Sequence, residues 1–291
     1  MKLRELRNRL GHSLAGAGVP RPLWEAELFL EKATGWTRRE QLVFPEREVP
    51  ETHRDTAEAL ARRRLTGEPL DYVLGEAPFG AWAFAVGPGC LIPRPESEVL
   101  VREAVARLPR GGSFLDWGAG SGCLACSVAL ERPDLRGCAL EASPAALRWA
   151  WRNLRRHGLQ DRVLLWHGRS PTELPPGTAP FHGVLANPPY IPTEHWIALD
   201  PSVRDQEPRC ALDGGDRGLE PLLAWLALLP PFLEPGGWIL AETAGPWQID
   251  LLQEHRPEGL CLEEVLEDPF GVPRFVLWRR TRVGLRIDIV K

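Results

Sequence analysis

"FLDWGAGSGCLACSVAL", Phe114 to Leu130, decides how the chain folds. A short apolar run ends on Asp116, passes through Gly118, Gly120 and Gly122, and opens into an apolar helical stretch. Glycines at a strand-to-helix turn permit tight turning and let a ligand approach the backbone, while the helix N-terminus presents N–H groups that lack intrahelical partners. In dinucleotide-binding folds such a loop cradles a pyrophosphate. Here the spacing is G-x-G-x-G and an acid opens it. That suits a ligand with an amine and a carboxylate: Asp116 would hold the ammonium, and the loop amides the carboxylate or a sugar. A glycine turn kept for packing alone is the other reading.

Around this loop, from about residue 112 onward, short apolar runs alternate with longer amphipathic segments. The runs are "SFLDW", "GCALE", "RVLLWH", "GVLAN", "GGWILAE" and "RFVLWRR". The alternation predicts an α/β domain, a mainly parallel sheet with helices on both faces, over residues 97–280. Before it, Leu3, Leu6, Leu10 and Leu14 repeat at helical spacing; "RPLWEAELFLEKATGW" and a stretch stopped at Gly67 give two more helices. Residues 1–75 therefore read as a small helical bundle that positions a partner. Residues 76–96, rich in Gly, Pro and aromatics, read as a connector with a possible hairpin, and 281–291 as a tail with no assigned place.

Composition narrows the function classes. The chain has 291 residues, 44% of them apolar, and a net charge of −4 from 35 basic and 39 acidic side chains. That balance gives no global electrostatic case for nucleic acid or an anionic membrane. Without a long apolar run, the chain reads as cytoplasmic. Six cysteines in a chain of this length do not form a disulfide scaffold. Cys123 and Cys126 have a C-x-x-C spacing, but no second pair follows at a zinc spacing, so they read as core and no metal site is expected. Trp149 and Trp151 likewise read as packing residues.

Two further positions carry chemistry. "GCALEASPAALRWAWRNLRRHGL" is a strand ending at Glu141, 25 residues after Asp116, followed by Ser143 as N-cap and Pro144 in the first turn. An acid there can accept both hydroxyl hydrogens of a ribose. "VLANPPYIP", Val184 to Pro192, is a strand that stops on Asn187. The Asn187 side-chain oxygen and the Pro188 carbonyl are adjacent acceptors on a rigid Pro188-Pro189 step, a receptor for an NH₂ group, and Tyr190 can lie against a planar substrate. An amide or aromatic amine nitrogen is a poor nucleophile because its lone pair is delocalised. Accepting both its hydrogens orients it and favours positive charge on it, as in-line methyl transfer requires, with no strongly basic group.

At this point the chain resembles the S-adenosylmethionine-dependent methyltransferases of amide and exocyclic amino nitrogens, through "NPPY" and its D-x-G-x-G-S-G loop. "RRRLTGEPLDYVLGEAPFGAWAFAVGPGCLIPRPESEVLV" is similar to the connector of the HemK/PrmC family of release-factor glutamine methyltransferases, with I-P-R-P-[ED]-[ST]-E present as Ile92 to Glu98. "EPRCALDGGDRGLEPL" and "FLEPGGWILAETAGPWQ" resemble later segments of that family. The resemblance implies a class I, Rossmann-like fold with a seven-stranded, mostly parallel sheet and an N-terminal helical domain. It implies S-adenosyl-L-methionine as cofactor, S-adenosyl-L-homocysteine as product, and the Gly-Gly-Gln glutamine of class 1 peptide chain release factors as acceptor. Gly118, Ala119, Gly120, Ser121 and Gly122 would line the methionine, Glu141 would bind the ribose, and Ser170 would give a backbone contact near the adenine. Asn187 and Pro188 would take the amide hydrogens, with Pro189 and Tyr190 shaping the slot. The Ile92–Glu98 segment would either border the site or simply join the domains. Trp117, Ala119 and Glu141 stand where the family usually has Leu, Thr and Asp, and "HGRSP" replaces its usual acidic step. A monomer with no stable nucleic-acid or membrane contact is expected. Glutamine methylation of a ribosomal protein and amino methylation of nucleic acid are the alternatives.

Overall fold

The structure, a computed structural model, describes residues 1–255 and 257–281. It divides into two units: Met1–Ala77 with Asp200–Gln206, and Pro78–Leu199 with the chain from Glu207 onward.

The first unit is helical. Helices α1 (Leu3–Gly16), α2 (Pro22–Thr34) and α4 (Glu51–Leu65) are the three that the apolar spacing predicts, and Leu3, Leu6, Leu10 and Leu14 are all buried. They pack with Phe29, Leu30 and Ala57 into one core. Two short helices, α3 (Arg38–Val43) and α5 (Leu70–Leu74), escape a periodicity reading because neither is long enough to show a period. In α3 a capping box between Thr37 and Glu40 supplies the start signal instead. The short helix α9 (Pro201–Arg204) also belongs to this unit. Strands β1 (Glu76–Phe79) and β2 (Trp82–Ala85) form a two-stranded sheet.

The second unit is built on a seven-stranded sheet in the order β5-β4-β3-β6-β7-β9-β8. Its strands are β3 (Ser113–Trp117), β4 (Arg136–Glu141), β5 (Val163–His167), β6 (Phe181–Ala186), β7 (Leu233–Glu242), β8 (Leu260–Glu267) and β9 (Pro273–Arg280). β3 pairs in parallel with both β4 and β6, β4 with β5, and β6 with β7, whereas β9 runs antiparallel to β7 and β8. Six strands are the apolar runs of the sequence. The seventh, β8, reads "LCLEEVLE" because it lies at the sheet edge and needs to bury little of itself.

Alternate residues of each strand enter different cores, as a pleated sheet covered on both faces requires. Phe114, Ala139, Leu185 and Leu240 pack with α6 (Glu98–Arg107), α7 (Cys123–Glu131) and α8 (Pro144–Arg156). Leu115, Leu140, Val184 and Ile239 pack with α10 (Glu220–Leu228) and α11 (Pro246–Glu254) on the other side. Cys123 and Cys126 belong to the first of these cores, and burial pushes the Cys123 thiol up to about 12. Trp149 donates to the Pro88 carbonyl at 3.3 Å, but Trp151 is 50% exposed and packs less than the sequence suggests. Of the expected tail, residues 281–291, all but Thr281 lie outside the described residues.

The chain leaves β3 toward β4 on one side and pairs with β6 on the other, so the C-terminal ends of β3, β4 and β6 meet at a switch in strand order. Crevices for ligands form at such switch points in open α/β sheets.

Candidate active site

The loop after β3 folds back onto β4. The Gly118 and Ala119 N–H groups both donate to the Leu140 carbonyl, at 2.9 and 3.1 Å, and Gly122 N–H donates to Ala119 at 2.7 Å. Gly120 N–H donates to Glu141 Oε2 at 2.7 Å. Gly122 caps α7 with φ of +75°, where its missing side chain also leaves room for Ala150. These four amides therefore serve the loop itself, which corrects the expectation that they would take a carboxylate. Loop backbone and small side chains form the wall.

Asp116 also departs from expectation. It is fully buried under the loop, its Oδ2 accepts from Ala125 N–H at 3.0 Å, and its Oδ1 has no partner. It does not line the cavity, so it organises the first turn of α7 instead of meeting a ligand ammonium directly. Burial pushes its carboxyl up to about 7. Because the folded-state value lies above the unfolded 3.8, this group lowers stability as the pH rises from 3.8 through about 7. The melting-temperature difference between Asp116→Asn and the parent protein is expected to shift in favour of the variant over that range and to level off above it. A pH series of thermal melts checks this.

A cavity of about 510 Å³ opens beside the loop, within the size range of small-molecule sites. Gly118, Ala119, Gly120 and Ser121 form one wall, Glu141 another, and Asn187 and Pro189 a third. Glu141 is 8% exposed; its Oε1 accepts from Ser143 N–H at 2.6 Å while Oε2 holds Gly120, so each oxygen keeps a lone pair for a ligand hydroxyl. At the far end the cavity meets Gly168, Arg169 and Trp225. Trp225 stacks on Trp117 at 4.5 Å between ring centroids, and Trp117 Nε1–H donates to the Arg169 carbonyl at 3.2 Å. Ser170 is not in this wall. Its N–H donates to Glu173 at 3.0 Å and its hydroxyl caps a single turn, so the expected backbone contact from Ser170 is not available.

The segment Ile92–Glu98 contributes Pro93, Arg94 and Ser97 to the cavity. Glu207, 115 residues from Ile92 in sequence, holds it there: its buried carboxylate accepts from Ile92 N–H at 2.9 Å and pairs with Arg94. Ser97 accepts from Asn187 Nδ2 at 2.9 Å and donates to Glu242 Oε2 at 2.6 Å. Glu242 Oε1 in turn accepts from the Tyr190 hydroxyl at 3.1 Å. Nδ2 is thereby engaged, and Oδ1 is the group that Asn187 offers the cavity. Pro188 is buried and lines no part of it, whereas Tyr190 lines a smaller recess shared with Asn187 and Arg94. Ser97, Glu207 and Glu242 were missed as functional side chains; only the segments containing them, "IPRPESE", "EPRC" and "WILAE", carried a signal.

Comparison with known proteins agrees with this geometry. Residues 5–75 match the model of the PrmC N-terminal domain and residues 95–197 that of the methyltransferase small domain. The chain is 38% identical over 263 residues to the release factor glutamine methyltransferase of Geobacter sulfurreducens, covering 90% of this chain and 91% of that one. The chain belongs to the release factor glutamine methyltransferase family. A second member, from Nitratidesulfovibrio vulgaris, is 39% identical over 282 residues, 96% of this chain and 94% of its own. Among solved structures, a methyltransferase from Pyrococcus furiosus shares the fold at a TM-score of 0.51 and 16% identity, over 68% of this chain and 89% of that one. A class I methyltransferase fold, mixed α/β with a seven-stranded sheet, and a methyltransferase family are thus the architecture and enzyme class of this protein. Among the described residues, no helix is long and apolar enough to cross a membrane.

Proposed function

We propose that this protein transfers the methyl group of S-adenosyl-L-methionine to the side-chain amide nitrogen of the Gly-Gly-Gln glutamine in class 1 peptide chain release factors, as a monomer in the cytoplasm. The observation that carries this reading is Asn187: it lines the same cavity as the glycine loop and Glu141, and with its Nδ2 held by Ser97 its Oδ1 is left as an acceptor for a substrate N–H. The residues present fit the cofactor. Glu141 has acceptor capacity for the two ribose hydroxyls, Gly118 to Ser121 would give the methionine a wall without bulky side chains, with Gly122 outside that wall, and the cavity end at Gly168 and Trp225 would take the base.

When bound, the cofactor supplies an electrophilic methyl group. Asn187 Oδ1 accepts an N–H hydrogen of the glutamine amide, orients its nitrogen in line and stabilises the positive charge that builds there, whereas the Pro188 carbonyl, expected as the second acceptor, lies outside the cavity lining and takes no part. Pro189 and Tyr190 shape the slot and keep water out, and the proton departs after the new bond has formed, without a dedicated base. Glu141→Ala is expected to weaken S-adenosyl-L-methionine binding by roughly 1.5–3 kcal/mol, the worth of a charge-assisted hydrogen bond. Titration calorimetry reads this directly, and unchanged affinity would remove Glu141 from the site.

The deciding experiment presents labelled S-adenosyl-L-methionine and the purified protein to release factor, ribosomal protein and DNA in parallel. Mass spectrometry is expected to place the methyl on the glutamine of Gly-Gly-Gln. Label confined to ribosomal protein or to DNA replaces the proposed acceptor with that one.

A further inference from the structure

An asparagine can turn either end of its side-chain amide toward a substrate, and the two ends have nearly the same shape. Only the oxygen end accepts an N–H from a glutamine amide; the nitrogen end would set donor against donor. Something must therefore choose. Asn187 is joined at the cavity wall to Ser97, Ser97 to the buried Glu242, and Glu242 to Tyr190.

We propose that Ser97 and Glu242 are positioning residues that set the polarity of Asn187, and that protonation of Glu242 reverses it. This rests on reading the site as an amide methyltransferase. An ionised carboxylate is an acceptor only, so Ser97 must point its single hydroxyl proton at Glu242 Oε2, 2.6 Å away. The Ser97 oxygen then faces Asn187 with lone pairs alone, and the group 2.9 Å from it has to be the NH₂. Tyr190 completes the set by donating to the other carboxylate oxygen at 3.1 Å. All the protons in the chain run toward Glu242, and Oδ1 is left for the substrate. Ser97 is 3% exposed and Glu242 1%, so water does not compete for these bonds.

If Glu242 takes up a proton, it can donate to Ser97, whose own proton is then free for Asn187. The amide is best satisfied by turning over, and the cavity meets an NH₂. Burial raises the Glu242 carboxyl above its ordinary value; Glu96 adds to this, while Ser97, Tyr190 and Arg274 oppose it. The active form is the ionised one, so turnover falls as the pH drops through the raised value.

The test compares the parent protein with Ser97→Ala and Ser97→Thr, using release factor as acceptor. Ser97→Ala should lower kcat by roughly tenfold, about 1.4 kcal/mol, the worth of one oriented hydrogen bond, and remove the acidic fall in turnover that belongs to Glu242. Ser97→Thr, which restores a hydroxyl, should recover both, and S-adenosyl-L-methionine affinity by calorimetry should be the same in all three. In parallel, the Asn187 side-chain NH₂ resonances, identified by their loss in Asn187→Ala, should shift with a single acidic titration in the parent and in Ser97→Thr but not in Ser97→Ala. Resonances that ignore pH in the parent, or titrate alike in Ser97→Ala, overturn the inference. Absence of methyl transfer by the parent, with that titration present, overturns the proposed substrate and leaves the polarity control standing.

Discussion

Asn187→Ala lowers methyl transfer by roughly two to three orders of magnitude, the usual cost of deleting one preorganised group that meets developing charge. Cofactor binding stays in place, because Asn187 meets the cavity through one wall while Glu141 and the glycine loop supply the others. Two losses combine. The amide nitrogen is no longer aimed, and the charge growing on it loses an acceptor. The deleted side chain also leaves Ser97 without its donor, so Ser97→Ala and Asn187→Ala should not add when combined. Single-turnover kinetics together with calorimetry separate the chemical step from binding. Near-normal turnover would sink the amide-receptor mechanism.

Gly218→Ala is the second large effect, and it acts from outside the cavity. Gly218 has a φ of +66°, and a Cβ there would overlap the Tyr190 carbonyl oxygen. The obstacle is backbone, so no rotamer change relieves it. Gln248, fully buried, clamps the same place: its Nε2 lies 2.9 Å from the Tyr190 carbonyl, 3.1 Å from that of Arg217 and 3.1 Å from that of Gly218. The left-handed backbone costs an L-residue about 1–2 kcal/mol and overpacking about 1–3 kcal/mol more. A destabilisation of roughly 3 kcal/mol lowers the melting temperature by at least about 6 °C in a unit of this size. The Tyr190 backbone moves with it, so turnover falls together with stability. A thermal melt and a kcat measurement on the same preparation check both, and an unshifted melt would mean that the loop accommodates the methyl group.

Much of this site was legible from local pattern. Apolar runs alternating with amphipathic ones gave the α/β layers, and the loop from Asp116 to Gly122 marked the ligand end of β3. Glu141 and Asn187 were found as strand-end residues, and both line the cavity. β8 was not read as a strand because an edge strand can alternate acids with apolar residues without penalty. Asp116 and Ser170 were assigned to a ligand by residue type and position. Their actual neighbours, Ala125 and Glu173, are nine and three residues away, but which way each group turns depends on what is packed above it.

The amino-acid order by itself determined the layered fold, the glycine turn and the presence of an amide beside two prolines, because periodicity and turn chemistry act over a handful of residues. It did not determine which end of Asn187 faces the cavity. That depends on Ser97, 90 residues before it, and on Glu242, 145 residues after Ser97. β6 and β7 pair side by side in the sheet, with Asn187 directly after one and Glu242 at the end of the other, and the segment entering α6 brings Ser97 to both. Hydrogen-bond direction is a property of the closed set of partners, so only the assembled sheet could decide it.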